Sequence, residues 1–378
     1  MNIKCTEPSL LPSPSVFPCA LVDNSMNKSA IRNPKSAMVY SGIMILEGVL
    51  RMSSGSNGYT EKDLRGMVRR WVSADRVPKR VRVKDTSDFF RVDYDDVVIL
   101  GGTPYFVRNN EREGRFGLED EPKFWVKRAI DLLTGETKVL KWVFRERFEA
   151  RIGNLVFDCV RSPQKEARIL ELVRGRGDFM QGTTEQDSAG HPLRILDYIR
   201  GRTLSQITPL LGSDHESFFY DHFPIVLDEY IGVVEAIRFL HQSGEKHGDI
   251  RRDHLIKDET TGRYRWIDYD FNYRHGESRF AYDLFGLGNI LVFITGRGDV
   301  TTNRLLTEAP GILDRLSPDD VNIVFHNRVA NLKKVYPYIP KSLNRVLLHF
   351  SAGSQVYYET TEELLEDLGE AREELERR

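Results

Sequence analysis

Apolar positions recur at helical spacing in several stretches. Val226, Leu227, Tyr230, Ile231, Val234, Ile237 and Leu240 mark one face of a long amphipathic helix over 225–240. Leu64, Met67, Val68, Trp71 and Val72 predict a helix over 60–72, with Thr60 as its cap and Asp63 three residues on. Ile169, Leu170 and Val173 give an inward face to 165–173. In the run 283–296, Gly296 suits a helix C-terminal cap. Stretches 339–350 and 360–368 predict closing helices, and the tail 369–378 is a charged helical face.

Between residues 89 and 144 the pattern changes to strands. Val97 to Leu100 ends in Gly101-Gly102, and Tyr105 to Val107 follows. Runs 123–130 and 138–144 flank Leu133-Thr134-Gly135-Glu136, which predicts a hairpin. Leu193 to Leu196 is an apolar strand breaking into polar residues before Gly201. The basic stretch 76–84 carries no interleaved aromatic residue and reads as a solvated linker, not a nucleic-acid contact. Residues 1–58 are rich in Pro, Ser and Asn and predict a disordered segment, apart from a short helix near 37–51. Met52 is a candidate alternative start.

Composition narrows the class. The chain has 378 residues, enough for one large domain or two lobes. A net charge of −2 gives no global field toward nucleic acid or membrane. Cys5, Cys19 and Cys159 have no metal-ligand spacing, and so sparse a set suits a reducing cytoplasm. No apolar run reaches the roughly 18–20 residues of a spanning helix.

The chemistry concentrates in His247-Gly248-Asp249-Ile250-Arg251-Arg252-Asp253-His254-Leu255-Ile256. Asp268 follows Asp249 by nineteen residues, in Trp266-Ile267-Asp268-Tyr269-Asp270-Phe271. This resembles the catalytic core of the protein-kinase-like superfamily, whose loop reads His-Arg-Asp, four residues, then Asn, and whose metal motif reads Asp-Phe-Gly. The resemblance covers roughly 105–368. It implies an α+β, bilobal protein-kinase-like fold, with a small antiparallel β-rich N-lobe about 105–200 and a larger helical C-lobe about 201–368. A helix-and-strand extension over 59–104 would precede it.

Residue by residue, the resemblance implies the following. Asp249 is the catalytic aspartate, and Arg251 a cation near the transferred phosphoryl group. Asp268 is the metal aspartate. His254 stands where the family has its second metal ligand, either coordinating the ion or only supporting the loop. Lys141, alone among charges in Val139 to Phe144, is either an edge lysine facing water or the lysine on the nucleotide's phosphates. Its partner is Glu166, with Glu171 as the alternative, and the stretch between Lys141 and Glu166 is a long loop. Gly114 and Gly117 either resemble a thin glycine loop, lacking its third glycine, or form an ordinary turn. Leu196 to Ile199, with Asp197 and Tyr198, resembles the hinge that meets an adenine edge. Asp283 is structural and holds the catalytic-loop backbone.

Three departures bear on function. No Ala-Pro-Glu follows Asp268, and Asp283 comes only fifteen residues later. Gly248 replaces the arginine that precedes the catalytic aspartate and answers phosphorylation. Tyr269-Asp270 replaces Phe-Gly, as in small-molecule and lipopolysaccharide kinases. The resemblance thus implies an ATP-dependent phosphotransferase using Mg2+ or Mn2+, with a protein Ser or Thr hydroxyl as acceptor. A small-molecule kinase and a nucleotide-binding pseudokinase scaffold are the alternatives.

Overall fold

The computed structural model describes residues 58–113, 121–276 and 278–377. The stretch 1–51 with its expected helix, Met52, Gly114 and Gly117 lie outside them. The described residues all fall in one compact unit, Glu47–Arg378.

Helix α1 (Glu61–Trp71) opens the described chain, and its Thr60–Asp63 capping box is present. Strands β1 (Arg82–Val83), β2 (Asp96–Leu100), β3 (Thr103–Glu113), β4 (Glu121–Asp131) and β5 (Thr137–Lys141) follow. Next come β6 (Arg147–Ile152), β7 (Leu155–Arg161), α2 (Pro163–Leu172), β8 (Gly182–Gln186) and β9 (Pro192–Asp197). The chain then runs through β10 (Gly201–Thr203), α3 (Leu204–Ile207), α4 (His215–Asp221) and α5 (Phe223–Gln242). Strands β11 (Leu255–Asp258), β12 (Tyr264–Trp266) and β13 (Phe271–Arg274) flank the two aspartate segments. Helices α6 (Ala281–Thr295), α7 (Thr302–Glu308), α8 (Pro310–Leu313), α9 (Lys341–Leu348) and α10 (Thr361–Glu376) complete a mixed α+β fold.

One seven-stranded sheet runs β1-β2-β3-β4-β5-β9-β8. The expected hairpin is β4–β5, antiparallel from Val126↔Lys141 to Ile130↔Thr137. The basic stretch 76–84 is not only linker: Arg82 and Val83 pair parallel with Asp96 and Val97. An edge strand of two residues needs no hydrophobic pattern, so composition alone hid it.

The stretch expected as a long loop between Lys141 and Glu166 is instead a second hairpin. Strands β6 and β7 pair antiparallel, and β13 adds to β7 from Phe271↔Arg161 to Arg274↔Asp158. Segments far apart in sequence thereby meet beside the two aspartates.

Apolar packing divides the molecule. One cluster on the large sheet holds Val98, Leu100, Leu140, Leu193 and Ile195, and another seats Leu64 and Val68 of α1 against Val97 and Phe106. The largest cluster joins Ile169, Leu170 and Val173 to α5, α6, α9 and α10. Helix α2 therefore shares its apolar core with the helices, and Val139 of the strand that carries Lys141 packs against the same cluster. Among the described residues no helix is long and apolar enough to cross a membrane.

Candidate active site

Lys141 ends β5 with its side chain buried, 3% exposed for the whole residue. Its ammonium meets Glu166 at 2.9 Å, Asp268 at 2.5 Å and Asp270 at 3.0 Å. The edge-strand reading is thus excluded, since the lysine faces carboxylates and not water. Burial alone would lower its pKa, but Asp268, Asp270 and Glu166 outweigh that and the net shift is upward. Glu166 gives its other oxygen to Arg194 at 2.9 Å. Glu171 pairs with Arg174 at 2.5 Å on the exposed side of α2, away from Lys141.

Asp268 sits at φ +62°, in the left-handed region where a non-glycine residue is held only by its surroundings. Lys141 and Lys123 supply that hold, at Oδ1 and Oδ2. Burial would raise the Asp268 pKa; Lys141, Lys123 and His254 keep it well below the usual carboxylate range. Asp270 is gripped by Arg161, whose Nη1 lies 2.9 and 2.8 Å from its two oxygens. Arg161 also reaches Glu146 at 3.1 Å.

Asp249 lies beyond a turn fixed from below. The Asp283 carboxylate accepts from the backbone N–H groups of His247 at 2.7 Å and Gly248 at 2.8 Å, and lies 3.1 Å from His241 Nε2. The next residue, Ile250, packs directly on α6 at Gly286, where a Cβ would stand 2.6 Å from the Ile250 Cβ.

His254 joins the two aspartates. Its Nδ1 is 2.8 Å from the Asp249 carbonyl oxygen, and its Nε2 is 3.2 Å from Arg251 Nη2 and 3.7 Å from Asp268 Oδ2. A carbonyl only accepts and a guanidinium only donates. Nδ1–H therefore donates to the Asp249 carbonyl, and in the neutral tautomer the Nε2 lone pair is left to face Arg251 and Asp268. Loop support and an available ligand nitrogen coexist in one side chain. Arg251 also meets Asp253 at 2.5 Å and has its Nε 3.9 Å from Asp249 Oδ1.

Among the described residues two groups of side chains have metal-ligand spacing, each with its ligand atoms within 4.8 Å: Asp249, His254 and Asp268, and Glu166, Asp268 and Asp270. The Lys141 ammonium fills the second group. The first mixes carboxylate oxygen with imidazole nitrogen, a donor set that fits a divalent ion. Asp253 and Asp270, the carboxylates next along each segment, are both tied to arginines.

Asp197 and Tyr198 are not brought to this cluster by their side chains. Lys138, three residues from Lys141 and so on the opposite face of β5, holds the Asp197 carboxylate at 2.7 Å. The Tyr198 ring lies under the Arg128 guanidinium at 4.4 Å. Only their backbone stays with the strand leaving the sheet, where Asp197 donates to Gln181 at 2.9 Å.

Four cations at the site were not anticipated: Lys123, Arg161, Lys165 and Arg194. Arg161 had one local signal, a charge closing the apolar alternation of β7 just before the Ser162-Pro163 helix start.

No protein-family model matches the chain, and no curated protein matches it. Similar solved structures include the kinase domain of PknI from Mycobacterium tuberculosis, at 15% identity and a TM-score of 0.41, covering 72% of this chain and 98% of that one. A cysteine-to-alanine variant of that domain aligns at 12% identity and a TM-score of 0.43, covering 71% of this chain and 95% of that one.

Proposed function

We propose that this chain is an ATP-dependent phosphotransferase acting on a hydroxyl acceptor. The observation that carries the reading is the convergence of Asp249, Asp268 and the buried Lys141–Glu166 pair from segments distant in sequence. Asp249 takes the proton of the acceptor hydroxyl. Lys141, oriented by Glu166, binds the phosphates of the nucleotide, and Lys123 adds a second cation from the neighbouring strand. Arg251 faces the transferred phosphoryl group and offsets its equatorial charge. The backbone of 196–199 receives the adenine edge. Asp268 and His254 would hold Mg2+ or Mn2+, leaving Asp249 to the acceptor. When bound, such an ion neutralises phosphate charge.

The acceptor is read as a protein Ser or Thr hydroxyl, a reading carried over from Asp283 and its helix. One observation favours a second reading, a small hydroxyl compound. The stretch after Asp268 pairs with β7 over Phe271–Arg274, and α6 begins at Ala281, which leaves little chain for a separate peptide platform.

Incubation with γ-labelled ATP, alone and with cell extract, separates these readings. Label in a protein band supports the first, and label in small molecules supports the second. No label in either fraction, with either metal, sinks the phosphotransferase reading in favour of a non-catalytic nucleotide-binding module.

A further inference from the structure

Lys165 is 2% exposed, and among the described residues its ammonium touches no carboxylate at hydrogen-bond distance. It donates to three backbone carbonyls: His247 at 2.7 Å, Tyr269 at 3.0 Å and Phe271 at 2.5 Å. One acceptor lies two residues before Asp249, and another directly follows Asp268. The lysine itself directly precedes Glu166 on α2. A single side chain thus connects the helix that orients Lys141 to both aspartate segments.

The surroundings are built for this contact. Gly248 adopts φ +88°, and a Cβ there would stand 1.8 Å from the Phe271 carbonyl oxygen and 3.2 Å from the Lys165 Nζ. No other residue type leaves room for the two segments and the ammonium together. Above the clamp, Ser162 N–H donates to the Asp270 carbonyl at 2.6 Å, at the cap of the same helix. Below it, Ile169, Leu170 and Val173 root α2 in the core shared with α5 and α6.

We infer that Lys165 is a positioning residue that fastens α2 to both aspartate segments, so that the Lys141–Glu166 pair, Asp249 and Asp268 are held in register as one rigid unit. This rests on the phosphotransferase reading only for its effect on turnover; the mechanical linkage stands apart from it. Lys165 touches neither nucleotide nor acceptor, so its removal should misplace catalytic groups without removing any of them.

The test compares Lys165→Met and Lys165→Arg with the unmodified chain, by backbone hydrogen exchange and by steady-state kinetics. Lys165→Met should speed exchange in 246–251 and 269–274 while α5 and α6 keep their protection. It should lower kcat by about 100-fold, the scale of a roughly 1 Å misplacement. KM for ATP should stay within about threefold, because binding groups remain. Lys165→Arg, which keeps a cation and its donors, should recover part of the loss. Unchanged exchange in both segments overturns the inference, as does a uniform loss of protection across α5 and α6. If the methionine variant does not fold, exchange in Lys165→Gln decides: acceleration confined to the two segments supports the linkage, and none overturns it. If the unmodified chain transfers no phosphate at all, the phosphotransferase reading fails and exchange alone still decides the linkage.

Discussion

Lys141 and Lys165 are both buried and both adjoin Glu166, one through an ion pair from β5 and the other as its neighbour on α2, yet their charges are treated oppositely. Lys141 faces three carboxylates, and its pKa is driven up despite burial. Lys165 faces three neutral carbonyls, and burial pulls its pKa down to about 8. Carbonyl dipoles satisfy N–H donors but do not neutralise a charge. Keeping the Lys165 proton therefore costs about 3 kcal/mol relative to water. The same contrast recurs elsewhere: burial takes His247 to about 3, and His215, whose Nε2 lies 2.8 Å from the Thr295 carbonyl, to about 4. A carboxylate-rich site holds a permanent cation, and a carbonyl-lined one holds a shape.

Substitution at Asp249 gives the largest expected effect, because it leaves both lysines fully partnered. Asp249→Asn should lower phosphoryl transfer by about 10³-fold or more, with ATP affinity within a few-fold, since the base acts on the acceptor. An equal loss of nucleotide binding would assign Asp249 to the nucleotide instead.

The carboxylate side of the comparison is probed by Lys141→Ala and Glu166→Ala, singly and together. Their effects on activity should be non-additive, with coupling of about 1–3 kcal/mol, because each residue is buried against the other. Additive losses would remove the pair from the site.

His254 lies between the two regimes, bonded to a carbonyl on one nitrogen and turned toward a carboxylate with the other. Manganese should support turnover at least as well as magnesium, since imidazole suits softer ions. His254→Asn should shift the preference toward magnesium several-fold if Nε2 ligates the ion. A metal titration of both proteins that keeps one preference, with lower stability in the variant, would leave His254 only its bond to the Asp249 carbonyl.

The smallest expected effect is at His215. Its folded pKa is depressed below the ordinary value of about 6.5. The unfolded chain therefore takes up the proton first as pH falls. The stability contributed by neutral His215 is complete above about 6.5 and is lost progressively toward about 4. Thermal melts over that window should show a shallower pH slope for His215→Gln than for the unmodified chain. Identical slopes would mean that the ring is not desolvated.

Legibility from the sequence followed the range of the interaction. Helices α1, α5 and α6 were readable because caps and periodicity are local, and the β4–β5 hairpin because its turn is short. Asp249, Asp268, Lys141 and Glu166 could be named from motif order. The β6–β7 hairpin was not, because Arg147, Glu149 and Arg151 alternate outward in a strand with few apolar partners. Nothing near Arg161 or Lys165 announces acceptors beyond residue 246; a cation on a short helix reads as a solvated one until its distant partners are known. The Asp197 side chain shows the same limit, since it answers to Lys138 on the neighbouring strand, 59 residues earlier.

The clamp also has a consequence for biosynthesis. The carbonyls that receive Lys165 lie 82, 104 and 106 residues downstream. At roughly 5–20 residues per second, they leave the ribosome on the order of ten seconds after the lysine does. Until then the nascent chain can form its large sheet and the Lys141–Glu166 pair, but α2 lacks its clamp, and α6, part of its apolar core, is still to come. The emerging first half is thus the stage at which a chaperone would hold this chain, and the two aspartate segments are fastened to α2 only once Phe271 has emerged.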